Sequence, residues 1–402
     1  MQPANIVIIG AGYAGLTAAF RLQKQSSKAE TTITLISKHD YHYQTTWLHR
    51  NAVGSLPAKK TKFTLHSLLD TERVRIVKDI VEHIDIEKKR IQTQMGVFPY
   101  DYLIVALGSE IDPLHIPGLK NHAYSISTLA KSLQLYHRIT NLLKQYSQTS
   151  KSQSLHFVIG GVGFTGVELL GELTDQLPKL CQPFNIDPKK IKLTAIEHEP
   201  TVLPEFDLEL GEYAMQKLEA KGVELRLGTK IKAVYQDQIK IEQSGLVEDI
   251  PADLFVWTAG VKGNHLIDLS DIPAKEGRVE VNCDLTAPGY PEVFVIGDVA
   301  LIRKQDQTPY LPNADLAVQK GRLAANNVLL SLRGSRQLHT LSIKNNGTIA
   351  SIGAKDAIGI NRKHKKLFGR NAAILKKLSN YKMLYRIGGF HLLSYYLFNK
   401  TE

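Results

Sequence analysis

The sequence has few cysteines and no long apolar segment. Its 402 residues include two cysteines, Cys181 and Cys283, which form no CxxC redox pair and no cysteine zinc cluster. They suit a reducing compartment, although a long-range disulfide between them stays open. No run approaches the roughly 20 apolar residues that cross a bilayer, and no secretory signal opens the chain. We therefore expect no metal site, no membrane-spanning helix and no proton pumping.

Acidic residues are scarce at the end of the chain. Residues 361–402 contain ten Lys or Arg and one acid, a net charge of +9, whereas the other 360 residues carry +2. A local basic segment favours an anionic partner, either a membrane surface or a nucleic acid. No recognisable RNA-binding module accompanies the charge, so we expect no nucleic-acid partner.

Residues 370–386 of this segment predict an amphipathic helix. Apolar side chains recur there at helical spacing among lysines: Ile374, Leu378, Tyr381 and Tyr385. Gly388 and Gly389 are expected to end the helix before a short aromatic segment. Basic and aromatic residues on one helix suit the interface of an anionic bilayer. A dimer contact and packing on the protein's own core are the alternatives.

Two glycine-rich turns each follow a short apolar strand. The first glycine turn, after residues 6–9, is Gly10-Ala11-Gly12-Tyr13-Ala14-Gly15, and the second, after residues 155–160, is Gly161-Val162-Gly163-Phe164-Thr165-Gly166. In such turns the first glycine permits the tight bend, the second lets a pyrophosphate approach, and the third lets helix and strand pack closely. One copy could equally be a turn without a ligand, but two in matching context predict two dinucleotides in one chain.

The end of the second strand in each unit predicts which nucleotide binds. Glu197 follows such a strand, and a carboxylate there accepts hydrogen bonds from the ribose and repels a 2′-phosphate, which favours NAD over NADP. Glu197 lies farther than usual from Gly166, and an insertion at residues 178–183 is expected to explain this. The first unit lacks the acid, and its strand ends at Ser37 and Lys38 instead.

The order strand, glycine turn, helix, strand occurs over residues 1–110 and again over residues 155–260, which indicates an internal duplication. We predict an α/β fold with two Rossmann-like three-layer nucleotide-binding domains. The first domain comprises residues 1–115 and 266–340, and the second comprises residues 116–265. Residues 341–402 form a C-terminal module that carries the amphipathic helix.

A further strand ends at Gly297 and Asp298, which resembles the second flavin motif of two-dinucleotide-binding flavoproteins; a strand-end Asp that caps a helix is the alternative. Over essentially its whole length, the chain resembles type II NADH dehydrogenases, the single-subunit NADH:quinone oxidoreductases of bacterial membranes. The stretches that carry this resemblance are GAGYAGL at residues 10–16, YHYQTTWLH at 41–49, GFTGVELLGELTD at 163–175, VWTAGV at 256–261, VIGD at 295–298 and GTIASIG at 347–353. The resemblance implies FAD in the first domain, NADH in the second, and electron transfer to a membrane quinone, expected to be menaquinone.

The resemblance also implies roles for individual residues. FAD and its surroundings would be contacted by Gly10, Ala11, Gly12, Tyr13, Ala14, Gly15, Ser37, Lys38, Thr46, Trp47, Val81, Gly108, Asp298 and Ala317. NADH would be contacted by Gly161, Gly163, Gly166, Glu197 and Gly260. Glu172 matches the functional glutamate near the reactive rings. From the residues alone, Glu168 and Glu172 would be interpreted as a solvated helix face.

One stretch departs from the family pattern, Ala-Gln-x-Ala-x-Gln, which lines the quinone site. Asp315 replaces the first glutamine and Gln319 retains the second. A carboxylate at this position would lower the flavin potential and weaken a quinone contact, or would be protonated in an apolar pocket. We expect Asp315, Gln319 and Lys376 at the quinone site, with Arg50 as a partner of Asp315.

The expected assembly is a peripheral homodimer at the cytoplasmic face of the cell membrane. A related dehydrogenase with an altered acceptor is one alternative function, because of Asp315. A non-catalytic, nucleotide-responsive protein that binds through its basic tail is another. Sulfide:quinone oxidoreductases need cysteines that flank the flavin, and neither Cys181 nor Cys283 is expected to lie there.

Overall fold

Two central sheets dominate the computed structural model, which describes residues 2–112, 114–149 and 153–398. The first sheet is parallel apart from its first strand pair, and its six described strands lie in the order Thr286–Ala287, Tyr290–Val295, Tyr102–Val105, Ala4–Ile9, Thr31–Ser37 and Val74–Lys78. The second sheet is parallel, with the order Tyr124–Ser125, Leu254–Trp257, Leu155–Gly160, Ile191–Ile196 and Val223–Arg226.

Successive side chains of a strand point to opposite faces of the sheet, so both faces can pack against other elements. Each sheet is thereby the middle of three layers. In the first sheet Ile8 packs with the helices Tyr13–Gln25 and Ala314–Leu332, whereas Ile9 packs with the antiparallel sheet of residues 81–99. The second sheet likewise has helices on one face and an antiparallel sheet on the other. The predicted α/β class with two Rossmann-like sheets is confirmed, while the domain boundaries stay predictions.

The remaining elements complete these layers and the C-terminal module. Antiparallel sheets contain the strands Val81–Asp85, Arg90–Thr93 and Gly96–Pro99; Thr229–Val234, Gln238–Gln243 and Leu246–Pro251; and Thr348–Ser351, Ala357–Ile360 and Lys366–Phe368. Two-stranded pairs are Tyr41–Tyr43 with Lys62–Thr64, Glu110–Ile111 with Val261–Lys262, and Val279–Glu280 with Ala300–Leu301. The other helices are Leu48–Ala52, Ala58–Thr61, Leu65–Leu68, Leu119–His122, Leu129–Ser147, Phe164–Cys181, Leu208–Ala220, His265–Asp268 and Gly369–Phe398, with 3-10 turns at Thr45–Trp47, Gln182–Phe184, Pro188–Lys190 and Gly297–Val299.

The extra residues expected near 178–183 are present, as a longer helix followed by 3-10 turns. The helix after the second glycine turn, Phe164–Cys181, has 18 residues, against 13 in Tyr13–Gln25 after the first. Pro178 lies inside this longer helix and does not end it. A 3-10 turn, Gln182–Phe184, follows directly. The larger distance to Glu197 therefore comes from a longer helix and a longer connection.

The C-terminal helix Gly369–Phe398 contains the predicted amphipathic segment. Gly389 has a φ of 68°, which is not helical, and the helix is interrupted by a kink there, so the break expected at Gly388 and Gly389 is confirmed. Leu384, Ile387 and Leu392 are fully buried in the core of the first unit. Other apolar side chains of this helix are exposed: Ile374, Leu375, Leu378, Tyr385, Phe390 and Leu397. Among the described residues, no helix combines the length and apolar character needed to cross a membrane.

Candidate functional site

In the first glycine turn, the protein's own backbone crowds the first and third glycines but leaves the middle glycine open. Gly10 has a φ of +100°, and a Cβ there would lie 2.2 Å from the carbonyl oxygen of Ala106. A Cβ on Gly15 would lie 1.9 Å from the carbonyl oxygen of Gly10. Around Gly12, by contrast, a Cβ would meet no described atom within 4 Å. The middle glycine thus leaves open backbone, which fits the approach of a pyrophosphate.

The second glycine turn has the same geometry. Gly161 has a φ of +95°, and its Cβ would lie 2.6 Å from the Cβ of Ala259. A Cβ on Gly166 would lie 2.0 Å from the carbonyl oxygen of Gly161, whereas the nearest atom to one on Gly163 is 3.5 Å away. Neither following helix has a side-chain cap at its N-terminus. Both turns therefore present open N–H groups that suit a phosphate.

The strand ends beside the two turns differ. The Glu197 carboxylate accepts hydrogen bonds from the N–H of Val162 at 2.7 Å, of His198 at 2.7 Å and of Glu199 at 3.2 Å. This holds an acid next to the second turn, where a ribose is expected. In the first unit, the Ser37 hydroxyl accepts a long 3.4 Å hydrogen bond from the His39 N–H.

The adenosine end of the first unit is built from neighbouring strand ends. Ser37 is in register with Lys78, and its carbonyl accepts a hydrogen bond from the Asp79 N–H at 2.9 Å. Val81 then starts the next strand. Val81 thus follows two residues after the Asp79 contact to Ser37, and the FAD contacts of both residues stay predictions. Lys38 follows Ser37 directly, and its role stays a prediction.

A chain of buried polar groups links the first glycine turn to the stretch at residues 41–49. His42 Nδ1 lies 3.0 Å from the carbonyl oxygen of Ala11, and His42 Nε2 lies 3.4 Å from Gln44 Nε2. The Tyr13 hydroxyl donates to Gln44 Oε1 at 2.8 Å and lies 3.4 Å from the Thr46 hydroxyl. Burial lowers the pKa of His42 to about 4 and raises that of Tyr13. Both groups are neutral at pH 7, and they fix Thr46 beside the turn.

The side chain of Trp47 lies buried at the end of this polar chain. Its ring packs on the ring of Tyr396 from the kinked tail, with centroids 5.0 Å apart. Its indole N–H is buried and has no hydrogen-bond partner among the described residues. A buried donor without an acceptor is costly in a folded protein. The position therefore fits a bound ring that carries hydrogen-bond acceptors.

The turn at Asp298 is held by a buried lysine that sequence reasoning missed. The Lys320 ammonium donates to the carbonyl oxygens of Gly297 and Ala300, both at 2.8 Å. Lys320 is 4% exposed, and this burial lowers its pKa to about 8. The Ser109 hydroxyl donates to Asp298 Oδ2 at 2.8 Å. Asp298 is thus presented at a fixed strand end, as a ribityl contact would require.

Three further residues implied as cofactor contacts lie near these turns. Gly108 and Gly260 each follow a central strand and have φ values of +73° and +68°, which favour glycine. Ala317 belongs to the same buried core as Ala14 of the first turn. Their contacts to a nucleotide stay predictions.

Glu168 and Glu172 are buried, at 8% and 6% exposure, so the solvated-face interpretation is wrong. Glu168 pairs with the Lys376 ammonium at 2.8 Å and accepts hydrogen bonds from the backbone N–H and hydroxyl of Ser351, both at 3.1 Å. Burial favours its neutral form, but Lys376 and the other neighbours outweigh this, and the pKa of Glu168 falls below its usual value. Glu168 is therefore charged. Because Glu168 lies one helical turn before Glu172, Lys376 reaches the neighbour of Glu172.

Two residues of the short helix Leu48–Ala52 approach this pair of glutamates. Arg50 Nε lies 3.8 Å from Glu172 Oε1, and His49 Nδ1 lies 3.5 Å from Glu168 Oε2. Burial lowers the pKa of His49 despite the neighbouring Glu168, so this histidine is neutral at pH 7. The helix that starts at the second glycine turn thus meets the stretch that starts beside the first. The sequence placed Glu172 near the site but did not identify His49 or Ser351 as contacts of the neighbouring glutamate.

Asp315 has a different partner from the one expected. Its carboxylate pairs with Arg386 of the C-terminal helix, while Arg50 pairs with Glu172. Asp315 Oδ2 also accepts hydrogen bonds from Gln319 Nε2 and Asn346 Nδ2, both at 2.7 Å. The predicted pairing of Asp315 with Arg50 is therefore wrong. Asp315 and Gln319 do lie together, as expected for neighbours on one helix face.

Comparisons with known proteins agree with this geometry. The family model described as pyridine nucleotide-disulphide oxidoreductase matches residues 4–321. The type II NADH:quinone oxidoreductase of Staphylococcus epidermidis is 37% identical over 391 residues, which covers 96% of this chain and 97% of the relative. That of Staphylococcus aureus is 36% identical over 391 residues, with the same coverage. The chain belongs to the type II NADH:quinone oxidoreductases.

Solved structures of similar fold extend over the whole chain of this type II NADH:quinone oxidoreductase. NDH2 from Plasmodium falciparum, solved in complex with NADH, has a TM-score of 0.87 at 18% identity and covers 100% of this chain and 99% of its own. The sulfide:quinone oxidoreductase from Aquifex aeolicus has a TM-score of 0.80 at 20% identity and covers 99% and 96%. These likenesses show the shared fold.

As a type II NADH:quinone oxidoreductase, the protein is an FAD-dependent enzyme that uses NADH. The open backbone at Gly12, the strand-end Asp298 and the unpaired Trp47 indole N–H fit the flavin. Cys181 is buried, and burial raises the pKa of its thiol to about 11, which disfavours a reactive thiolate. Cys283 is exposed.

Proposed function

We propose that this enzyme transfers reducing equivalents from NADH to menaquinone at the cytoplasmic face of the cell membrane, without pumping protons. The observation that carries the proposal is the meeting of the two nucleotide units. The helix Phe164–Cys181 begins at the second glycine turn and brings Glu172 to Arg50, beside the stretch that follows the first turn. A nicotinamide and a flavin held by these two turns would thus share one buried pocket.

Bound FAD supplies the redox chemistry, since its ring accepts a hydride from a nicotinamide and passes electrons to a quinone. The protein's residues position the partners and manage charge. Glu197 accepts hydrogen bonds from the ribose of NADH, and its negative charge disfavours NADPH. Quinone reduction also consumes two protons, and Glu172 is the proposed group that holds one of them. Arg50 Nε lies 3.8 Å from the Glu172 carboxylate and orients it.

The exposed side of the C-terminal helix supports a membrane-bound acceptor. Apolar side chains that the protein leaves uncovered lie on it, and the exposed Lys377 and Lys382 lie among them. Each basic residue near an anionic surface contributes about 1 kcal/mol to membrane binding. The other face, with Leu384 and Ile387, packs on the protein. A peripheral attachment is proposed on this basis, and a homodimer is compatible with it.

Anaerobic spectroscopy of the purified protein tests the electron-transfer steps. NADH should bleach the flavin absorption, and a water-soluble menaquinone analogue should restore it at a rate that matches steady-state turnover. Bleaching that only ferricyanide reverses would replace menaquinone by a soluble acceptor, the alternative that Asp315 suggested. Bound flavin that NADH does not bleach would support a non-catalytic nucleotide-responsive role.

Vesicle sedimentation tests the membrane attachment. The protein should pellet with phosphatidylglycerol vesicles and not with phosphatidylcholine vesicles. Leu378→Ser, on the exposed face, should weaken this binding and leave NADH–ferricyanide activity unchanged. Equal sedimentation of the variant and the wild-type protein would contradict a role for this face. The mass of the protein in solution, from light scattering, tests the homodimer.

A further inference from the structure

Both carboxylate oxygens of Asp315 are occupied by the protein's own donors. One oxygen pairs with Arg386, and the other accepts hydrogen bonds from the amides of Gln319 and Asn346, both at 2.7 Å. The side chains of Asp315 and Arg386 are 25% and 17% exposed, so most of the pair is shielded from water. A charged carboxylate cannot donate a hydrogen bond to a quinone carbonyl. The geometry therefore indicates that Asp315 has a structural role within the chain.

Arg386 is held twice by the helix Ala314–Leu332. Its side chain pairs with Asp315, and its backbone carbonyl accepts a hydrogen bond from the Arg322 guanidinium at 3.1 Å. Asp315 and Arg322 lie two helical turns apart, so both contacts come from one face of the helix. Arg386 lies close before the kink at Gly389. These contacts therefore fix the chain where it changes direction.

The segment after the kink returns to the protein. Leu392 is fully buried in the core of the first unit, and the ring of Tyr396 packs 5.0 Å from that of Trp47 and 6.0 Å from that of Tyr381. The position of Tyr396 depends on the direction in which the chain leaves Gly389. An ion pair directly before the kink is thus placed to control that direction.

We propose that Asp315 is a positioning residue that, through Arg386, sets the direction of the kinked tail segment, residues 390–398, so that Tyr396 packs on Trp47. This Asp315–Arg386 tether takes the place of a direct contact between residue 315 and the acceptor. Its effect on quinone reduction rests on the proposed function, because Trp47 is expected beside the flavin that would pass electrons to the quinone. The tether itself is a property of the folded chain with or without an acceptor.

A charge-swap cycle tests the tether. The variants are Asp315→Asn, Arg386→Gln and the double variant Asp315→Arg with Arg386→Asp, all prepared with FAD. The amides of Gln319 and Asn346 can turn their oxygens toward an arginine, so the swapped pair retains its hydrogen bonds. Glu280→Gln is the control, since Glu280 forms a surface ion pair with Arg303 at 2.8 Å.

Two readouts separate the tether from a general loss of stability. Hydrogen exchange in residues 390–398 should accelerate in both single variants and return toward wild type in the swap. The KM for a menaquinone analogue should rise about tenfold in the single variants, while NADH–ferricyanide turnover stays within about twofold of wild type. The control should change neither readout.

Several outcomes would overturn the proposal. Unchanged exchange in both single variants would show that the pair does not hold the tail. A raised quinone KM in Asp315→Asn alone would assign Asp315 to the acceptor itself. If the swap variant showed the same exchange and quinone KM as the single variants, residues 315 and 386 would not act as a pair. If wild type reduces no quinone, the exchange data still decide on the tether, while the proposed function fails separately.

Discussion

The two glycine turns need glycine at the same positions for the same steric reasons, but the residues beside them differ. In both, the first and third glycines are required by close backbone approaches, and the middle glycine faces open space. Beside the second turn, Glu197 accepts three backbone hydrogen bonds; beside the first, a neutral chain through His42 and Gln44 reaches Thr46. The turns fit the pyrophosphate that FAD and NADH share. The neighbouring residues must therefore distinguish the two nucleotides.

The largest expected effect comes from the third glycines, since the protein itself needs them. In Gly15→Ala and Gly166→Ala, the new Cβ would lie 1.9 Å and 2.0 Å from a backbone oxygen. We expect each variant to lose more than about 4 kcal/mol of unfolding free energy or to fail to fold. Urea titration of the soluble fraction measures this. Wild-type stability in either variant would show that the turn can relax.

The middle glycines should affect binding and spare the fold. A Cβ at Gly12 or Gly163 would meet no described atom closer than 3.5 Å. Gly12→Val should weaken FAD binding about a hundredfold, and Gly163→Val should do the same for NADH while FAD stays bound. Flavin fluorescence and NADH titration measure the two affinities, and thermal melting of the apoprotein is the control. Loss of both nucleotides in both variants would contradict independent sites.

The acid beside the second turn should decide which nicotinamide nucleotide is used. Glu197→Gln removes the charge but retains a side-chain oxygen that accepts backbone hydrogen bonds. We expect its KM for NADH to rise about tenfold and its preference for NADH over NADPH to shrink by a similar factor. Steady-state kinetics with both nucleotides measure this. Ser37→Ala, at the corresponding strand end of the first unit, should leave both KM values unchanged.

A pH-dependent effect concerns Lys320, which supports the first unit alone. The unfolded chain holds this proton up to a pKa of 10.5, whereas the folded protein releases it near 8, since burial disfavours the charge. Stability therefore rises with pH between these values, by at most about 1.4 kcal/mol per pH unit. In paired urea titrations, the unfolding free energy of the wild type should increase relative to that of Lys320→Met as the pH rises from 8 to 10. A constant difference would mean that Lys320 is charged throughout.

The sequence predicted the features that depend on local pattern. The strands, both glycine turns, Glu197 and the helix break at Gly388–Gly389 follow from periodicity, from backbone conformation and from residue chemistry at a strand end. The sequence located the extra residues near 178–183 but not their conformation, because Pro178 lies inside a helix although proline usually ends one. Its local pattern does not distinguish a long helix from an inserted loop.

Contacts between residues far apart in the chain could not be predicted from local sequence pattern. Lys320 bonds to the turn at Gly297, Glu168 bonds to Ser351, and Asp315 pairs with Arg386. Each pair joins elements that only tertiary packing brings together, and several charged residues nearby could have competed for each partner. Arg50 was therefore assigned to Asp315, although it approaches Glu172. The type of residue needed at the site was predictable, but the choice of partner was not.

The interrupted order of the first sheet affects how the chain folds during synthesis. Residues 103–105 pair with residues 293–295, and every strand of the second sheet lies between them in the chain. The ribosome therefore completes the inner unit while the outer one still lacks an inner strand and its covering helix. Domains fold as units as they emerge. The inner unit is thus complete first, and the outer unit exposes an unpaired strand edge until residue 295 has left the exit tunnel.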